Sequence, residues 1–516
     1  MVKIFIDDKA IEVKEGLTVL QAAKANGISI PHYCYHPAFA PEGSCRMCLV
    51  EIEGQPKLDL ACSTIAKEGL KVRTRSPKVI EARKGVLEFY LAEHPLDCPI
   101  CDKSGECLLQ DYYEQFGLFN GQFKDPKEKR EKRIEIGRKL LLDRERCILC
   151  TRCVRFLNRI TRTEDAGIIS RGVHAEISIY ETELIENNYA GNLVDLCPVG
   201  AITDLDFRFK ARVWFLEKKE SICPHCSRGC NIFIDFHPGF PRVKMSQRVC
   251  RIRPRDNEHI NFYWICDFGR YNYAYLDEQR HHKILMEREG HGLGLSREKT
   301  EIMLAEKMKG LISKEKAARI AVILNTRLTN EELFLADKIF REKLHLENIF
   351  VADPLPGKGD GFLLTEERTP NRRALAEIGI PASAPDLKTL AEKTDFLLVF
   401  GSSLTEAWSM DAIKSAFDKI RTKVLLTTHL SSLDPLVDII IPTPLIAEKS
   451  GSLTNVEGRV QVFSPALEFR ADGLPEWQLL LDLADEMKID PDYFGKLRSL
   501  ESIRRQMAKE IPFFNR

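Results

Sequence analysis

The chain of 516 residues has no cysteine between Asp267 and Arg516, no net charge and no long apolar run. Each absence excludes something. Lys plus Arg number 76 and Asp plus Glu also number 76, so no bulk field draws nucleic acid or an anionic membrane to the protein, and any partner must be recognised locally. No segment approaches the roughly 18 apolar residues that span a bilayer. Asp7 and Asp8 stand where a signal peptide would need its apolar core, which predicts a soluble, unexported protein. The length predicts about three to four domains and rules out disorder of the whole chain.

What is present is a concentration of thiols. All sixteen cysteines lie between Cys34 and Cys266, which divides the chain into two chemically different halves. An unexported protein keeps its thiols reduced, so a disulfide framework is excluded and metal ligation is the leading reading.

Val2, Ile4 and Ile6, then Ile11 and Val13 after an Asp-Asp-Lys turn, predict a hairpin, and Thr18 opens an amphipathic helix to about Asn26. Strand, strand, helix and cysteine loop is the order of a small β-grasp ferredoxin domain, here ending near Arg75. A helix is expected from about Pro77 to His94. Lys124 to Arg133 reads KDPKEKREKR, which has almost nothing apolar to bury and predicts an exposed linker. After Cys266, apolar runs alternate with amphipathic stretches, which predicts a doubly wound parallel α/β sheet. Its strands are expected at Ile320 to Leu324, Ile349 to Val351, Phe396 to Phe400, Val424 to Thr427 and Ile439 to Ile441. Thr329 to Glu332 forms a capping box ahead of the stripe Leu333, Leu335, Ile339 and Phe340. Gly357 to Gly361 follows prolines and opens no helix, so it is a plain loop and not a phosphate-binding one.

The cysteines fall into four groups. The first, Cys34-x10-Cys45-x2-Cys48-x13-Cys62, can supply the four thiolates of a [2Fe-2S] cluster, with Gly43 and Ser44 letting backbone N–H groups approach the sulfides. His32 and His36 raise the question of a Rieske centre, but the second half is Cys45-x2-Cys48 and not Cys-x2-His, so both are read as loop packing. The second group, His94-x3-Cys98-x2-Cys101-x5-Cys107, leaves a four-coordinate site one thiolate short, and His94 is the only histidine in the stretch to complete it. An imidazole in place of a thiolate makes a cluster less negative and raises its potential. Gly105 is the expected tight turn.

The third group is Cys147-x2-Cys150-x2-Cys153 followed at a distance by Cys197-Pro198, the bacterial ferredoxin spacing for one [4Fe-4S] cubane. The fourth, Cys223-x2-Cys226-x3-Cys230, needs a further ligand from Cys250 or Cys266, and residue chemistry alone leaves that choice open. His225 is surplus to it. Structural zinc also takes four cysteines, or three and a histidine. Zinc modules, however, pair two Cys-x2-Cys knuckles, whereas three close cysteines with a remote fourth favour cubanes.

Taken in order, these groups resemble the large iron–sulfur subunit of respiratory NADH:quinone oxidoreductase, complex I, the 75-kDa or G-type family. The carrying residues are Pro31 to Pro37, Gly43 to Cys48, His94 to Cys101, Cys147 to Cys153, Gly191 to Pro198, and Trp264-Ile-Cys266-Asp-Phe-Gly269-Arg270. The last segment resembles the family's final-ligand motif, which implies Cys266 as the fourth ligand and Cys250 as the spare. Glu448 to Gln461 resembles a segment of molybdopterin oxidoreductases, although its Gly and Asn residues also fit a simple turn before a strand. Too little chain remains after Cys266 to enclose a pterin, and it offers no cysteine to the metal.

The resemblance implies an α+β N-terminal half, with β-grasp [2Fe-2S] ferredoxin and [4Fe-4S] ferredoxin-like domains, followed by an α/β molybdopterin-oxidoreductase-like region. Its boundaries are 1–75 for the [2Fe-2S] domain, 76–120 for the His94/Cys98/Cys101/Cys107 domain, 121–137 for the linker, 138–215 for the Cys147/Cys150/Cys153/Cys197 domain, 216–272 for the Cys223/Cys226/Cys230/Cys266 domain, and 273–516 for a shortened α/β domain without pterin. It implies one [2Fe-2S] cluster, three [4Fe-4S] clusters and no molybdopterin. In the family the second and third groups lie on the main electron path and the fourth lies off it. The implied role is an electron relay, with no complete substrate-converting site in this chain. The implied partners are an FMN/NADH-binding subunit, a small [2Fe-2S] subunit, a two-cluster [4Fe-4S] ferredoxin-like subunit and the quinone-site subunits. The implied location is peripheral on the cytoplasmic face of the inner membrane, without membrane insertion or nucleic acid. An electron-transfer subunit of a soluble NAD-linked hydrogenase or formate dehydrogenase is the alternative, and the intermediate length of the chain argues against both.

Overall fold

The alternation at the start of the chain produces its hairpin: Val2–Ile6 pairs antiparallel with Lys9–Val13, turning through Asp7 and Asp8 in left-handed backbone. Ile4, Ile6, Ile11 and Val13 face inward and receive helix Val19–Ala25, which buries Val19, Leu20, Ala22 and Ala23 against them. Thr18 and Gln21 close the helix start as a reciprocal capping box. Lys71–Arg73 joins the first strand in parallel, and Leu49–Ile52 and Asp59–Leu60 complete a five-stranded mixed sheet.

In the computed structural model, which describes residues 1–117, 121–180, 184–239, 247–288 and 291–515, the chain forms two units, Met1–Leu216 and Glu217–Arg516. The expected domain end at residue 120 lies outside the described residues. Within the first unit, helix Pro77–Glu93 starts on Ser76 and Pro77 and is fastened to the sheet by the fully buried Arg83. Its guanidinium donates to the carbonyls of Thr74 and Leu49, both at 2.9 Å. Strands Ile134–Gly137, Leu140–Leu142 and Ile202–Asp204 form a separate antiparallel sheet.

The first of these strands takes up only the end of the linker expected over 121–137; residues 124–133 before it form no helix or strand and are mostly exposed. Ile136 is buried, and one inward apolar residue beside the buried run Leu140–Leu142 suffices to start the sheet. The basic run before it is also tied down, Arg130 Nη1 to the Ala175 carbonyl at 2.9 Å and Lys132 to Asp97 and Glu145 at 3.2 and 2.7 Å. Its charges find long-range partners that composition does not reveal.

In the second unit, Glu217–Ile222, Asn231–Phe236 and Val249–Pro254 form an antiparallel sheet. A seven-stranded sheet contains Ile320–Leu324, Asn348–Val351, Phe396–Phe400, Thr422–Thr427 and Ile439–Pro442, all parallel. Every residue of Ile320–Leu324 and Phe396–Phe400 is buried, as a sheet covered on both faces requires. Val322, Leu324, Phe396 and Leu398 feed one core while Ala321, Ile323, Leu397 and Val399 feed the other. The antiparallel hairpin Leu285–Arg288 and His291–Gly294, which pairs with Ile439–Pro442, was not among the expected strands. Thr329 caps helix Asn330–Ala336 through Glu332, and the stripe Leu333, Leu335, Ile339 and Phe340 is wholly buried. Residues 357–361 form a loop, with the Gly357 N–H donating to the Glu366 carbonyl at 2.8 Å. No helix among the described residues is long and apolar enough to cross a membrane.

Candidate metal centres

The four cysteines of the first group are all buried, at 3% exposure or less. Cys34 is hydrogen-bonded to Cys45 and Cys48 to Cys62. That bond to Cys45 holds the Cys34 thiol down at about 5 and pushes Cys45 up, while Cys62 is lowered and Cys48 raised by their own pairing. The Tyr33 N–H points at Cys45 Sγ, 3.4 Å away, a main-chain dipole aimed where a cluster's negative charge would lie. Arg46, between Cys45 and Cys48, takes the left-handed conformation at φ +56°. His32 Nδ1 bonds the Ile30 carbonyl at 2.8 Å and His36 Nδ1 accepts from the Ala38 N–H at 3.2 Å, so both histidines make the loop contacts expected of them.

In the second group His94 ends helix Pro77–Glu93 as its C-cap. His94, Cys98 and Cys107 line one cavity of about 610 Å³, and Cys101 is near enough to Cys98 and Cys107 to interact electrostatically with them. The His94 Nδ1 atom is buried without a hydrogen-bond partner, and burial lowers the imidazole to about 4. The ring is therefore neutral at pH 7, the form that ligates a metal. Gly105 makes the expected turn at φ +87°. Cys98 is the one exposed cysteine.

The third group closes around a small void lined by Cys147, Cys150, Cys153 and Cys197. Burial pushes Cys147 up to about 12 and Cys150 to about 11. Leu149 and Thr151 flank Cys150 in left-handed backbone at φ +51° and +60°, and the Leu149 N–H reaches Cys147 Sγ at 3.4 Å. For a side chain as large as leucine this conformation costs about 1–2 kcal/mol, and strain of that kind gathers where a loop is fixed for function.

These three groups interlock. Arg152, inside the third motif, donates to the Leu196 carbonyl at 3.3 Å and the Tyr35 carbonyl at 2.5 Å. Arg155 donates to the carbonyls of Cys34 and Cys150 and pairs with Glu42 at 2.9 Å. Arg146 holds Asp97 at 2.6 Å, which ties the loop before Cys98 to the loop before Cys147. Gly200, after Cys197, lies so close to the second group that a Cβ there would stand 2.2 Å from Cys101 Sγ. Tyr33, Tyr90 and Tyr112 pack together with ring centroids 5.1 and 5.2 Å apart, near Cys45 and Cys107. None of these arginines and tyrosines was singled out from the sequence. Arg152 and Arg155 lie within three residues of Cys153, but only the fold shows what they reach.

In the second unit Cys223, Cys226, Cys230 and Cys266 are buried together and interact electrostatically with one another. Gly269 donates its N–H to Cys266 Sγ at 3.4 Å. Cys250 is in strand Val249–Pro254, at 1% exposure. The Glu448 to Gln461 segment is a hairpin of Gly451–Thr454 and Val460–Phe463 that clamps the Cys226–Cys230 loop. The Val456 N–H donates to the Ser227 carbonyl at 2.8 Å, and Gln461 Nε2 to the Gly229 carbonyl at 3.0 Å.

The residues fit iron–sulfur clusters: buried thiols in fours, a neutral unpartnered imidazole completing a set of three, and amide N–H groups aimed at sulfur. Among the described residues no three His, Cys, Asp or Glu side chains converge closely enough to hold one metal ion.

Family models match three segments. Residues 1–77 match a 2Fe-2S iron-sulfur cluster binding domain, 83–121 the NADH-ubiquinone oxidoreductase-G iron-sulfur binding region, and 137–203 the ferredoxin-like domain of NADH-quinone oxidoreductase subunit 3. The G-type subunit of the NADH-quinone oxidoreductase of Rickettsia bellii is 38% identical over 348 residues, 67% of this chain and 49% of that protein. The NADH-ubiquinone oxidoreductase 75 kDa subunit of Reclinomonas americana is 39% identical over 67% of this chain and 49% of its own. The mitochondrial NADH dehydrogenase [ubiquinone] iron-sulfur protein 1 of Solanum tuberosum is 38% identical over 68% and 46%. A solved structure of NAD+-reducing [NiFe]-hydrogenase in the H2-reduced state aligns at a TM-score of 0.37 and 31% identity, covering 41% of this chain and 91% of that one. The chain spans about half the length of the curated relatives it matches, and over two thirds of its own length it is a relative of the G-type and 75 kDa iron–sulfur subunits of NADH-quinone oxidoreductase.

Proposed function

We propose that this chain is an electron-relay subunit of NADH:quinone oxidoreductase, carrying electrons from an NADH-oxidising FMN subunit toward quinone. The observation that carries the reading is that three of the cysteine groups lie in one unit, tied to one another by Arg146, Arg152 and Arg155. Cys34, Cys45, Cys48 and Cys62 would hold a [2Fe-2S] cluster. Three [4Fe-4S] clusters would be held by His94 with Cys98, Cys101 and Cys107, by Cys147, Cys150, Cys153 and Cys197, and by Cys223, Cys226, Cys230 and Cys266. When bound, such clusters take up and release single electrons.

The chain's own residues supply the setting. Buried loops keep water from the thiols of the first and fourth groups, N–H groups at Tyr33, Leu149 and Gly269 face sulfur, and the buried arginines place positive charge beside negative centres. Around the exposed Cys98, the apolar side chains of Leu96 and Ile100 are also exposed. Exposed apolar groups beside a donor set suit a docking partner that exchanges electrons there. The partners are the FMN/NADH-binding subunit, the small [2Fe-2S] subunit, the two-cluster ferredoxin-like subunit and the quinone-site subunits, in an assembly peripheral to the cytoplasmic face of the membrane. The second unit is proposed as a molybdopterin-oxidoreductase-like region without pterin, supported by its parallel sheet and by the Glu448 to Gln461 hairpin.

The test is anaerobic iron, sulfide and zinc analysis with low-temperature EPR of the dithionite-reduced protein in its native complex. About fourteen irons per chain are expected; zinc without paramagnetic signals would overturn the reading.

A further inference from the structure

The parallel strands of the second unit follow the chain order Ile320–Leu324, Asn348–Val351, Phe396–Phe400, Thr422–Thr427 and Ile439–Pro442. In space the second strand lies outside the first and the third lies on its other side. The winding therefore reverses between Ile320–Leu324 and Phe396–Phe400, and in open α/β sheets the crevice outside the carboxyl ends of the strands at such a reversal is where ligands bind. Here the crevice is a cavity of about 570 Å³, within the size range of small-molecule pockets. The residues that follow all five strands line it: Asn325 and Arg327, Pro354, Ser402 and Ser403, Thr428, and Thr443.

Its floor is built for a close approach. Gly401 lies at φ +77°, and a Cβ there would stand 2.3 Å from Asn325 Nδ2. Asn325 accepts from the Arg327 N–H at 2.8 Å, and Arg327 Nη1 donates to Ser403 Oγ at 3.1 Å. Glu406 stands 3.5 Å from the same guanidinium, a loose contact that leaves most of the fork's donors available to an anion. The opposite wall is aromatic: the His225 ring meets Phe268 and Tyr275 edge-on at 5.0 and 5.3 Å. His225 Nε2 is buried there without a partner, a polar atom whose burial is unfavourable unless something in the cavity bonds it.

We propose that this cavity binds a nucleoside monophosphate, with its phosphate on Arg327, Ser402 and Ser403 and its base against the His225, Phe268 and Tyr275 wall. Arginine with two hydroxyls and strand-end backbone is phosphate chemistry, and an aromatic wall carrying one unsatisfied hydrogen-bonding atom suits the edge of a heteroaromatic base. The site lies within the second unit and does not depend on the relay reading.

The test is isothermal titration calorimetry of AMP, GMP and CMP against the anaerobically purified full chain, with adenosine and inorganic phosphate as partial ligands. At least one nucleotide is expected to bind more tightly than either partial ligand. Arg327→Ala should weaken it about tenfold or more, as loss of a charged hydrogen-bond partner does. Glu406→Gln, which removes the competing carboxylate, should tighten it. Silence from all three nucleotides at millimolar concentration, or affinities indifferent to both substitutions, would overturn the proposal.

Discussion

The Tyr90 hydroxyl donates a hydrogen bond of 3.2 Å to the carbonyl of Cys45, so the helix that ends on His94 is bonded one turn earlier to the loop holding the first thiol group. The two donor sets are fixed by the same rigid element. Tyr90→Phe keeps the ring packing on Tyr33 and removes only this bond. The loss should be about 1 kcal/mol, with iron content unchanged and the EPR signal of the two-iron centre shifted. An unaltered signal would show that the Cys45 carbonyl does not sense the helix.

Arg155 should matter far more than its place in the sequence suggests. It is buried and donates to the carbonyls of Cys34, Cys150 and Ala40 and to Thr151 Oγ1, besides pairing with Glu42. Arg155→Met would leave the buried carbonyls of Cys34 and Cys150 without their donor, a loss of about 1–3 kcal/mol. Arg155→Lys should rescue little, because one ammonium cannot span the fork's partners. Thermal unfolding of the two variants, with iron analysis, checks both expectations.

What the sequence could disclose follows the range of the interactions. Thr18 with Gln21, and Thr329 with Glu332, are contacts between residues three apart, and each was legible as a helix start. The close cysteine spacings were legible for the same reason, since Cys98 to Cys107, Cys147 to Cys153 and Cys223 to Cys230 each lie within one short stretch of chain. Arg155, which reaches back 121 positions to Cys34, carries no local sign of its partner. The same holds for the strap around Lys132 and for strand Ile134–Gly137, whose pairing with Leu140–Leu142 outweighs the polar composition before it. Gln461 looked like part of a turn and strand, which it is, yet its amide also holds the loop between Cys226 and Cys230.

Separate units predict separable losses. Cys150 sits in the interlocked first unit and Cys226 in the second. In the intact complex, Cys150→Ser should stop NADH-to-quinone electron flow, while Cys226→Ser should leave much of it and lower the iron content by about four per chain. Equal loss of flow from both variants, with assembly intact, would contradict the relay as proposed.

Stability should also depend on pH through one buried triad. Lys449 lies between two carboxylates, 2.8 Å from Glu332 and 2.7 Å from Glu476. One ammonium cannot neutralise both. Burial and the charge of Glu332 push Glu476 up to about 7, whereas for Glu332 the attraction and hydrogen bonds of Lys449 outweigh burial and lower it. A carboxyl raised in the folded state binds its proton more tightly than the unfolded chain does. Its contribution is therefore fully present below the ordinary glutamate range near 4.5 and is lost as pH rises toward 7. Glu476→Gln keeps a neutral side chain at every pH, so its melting temperature should gain on that of the unsubstituted protein between pH 5 and pH 8. Lys449→Met should destabilise by about 3–5 kcal/mol, because it strands buried charge, and that loss should shrink at pH 5 as Glu476 takes up its proton. A difference between Glu476→Gln and the unsubstituted protein that stays constant from pH 5 to pH 8 would mean that Glu476 holds no proton at neutral pH.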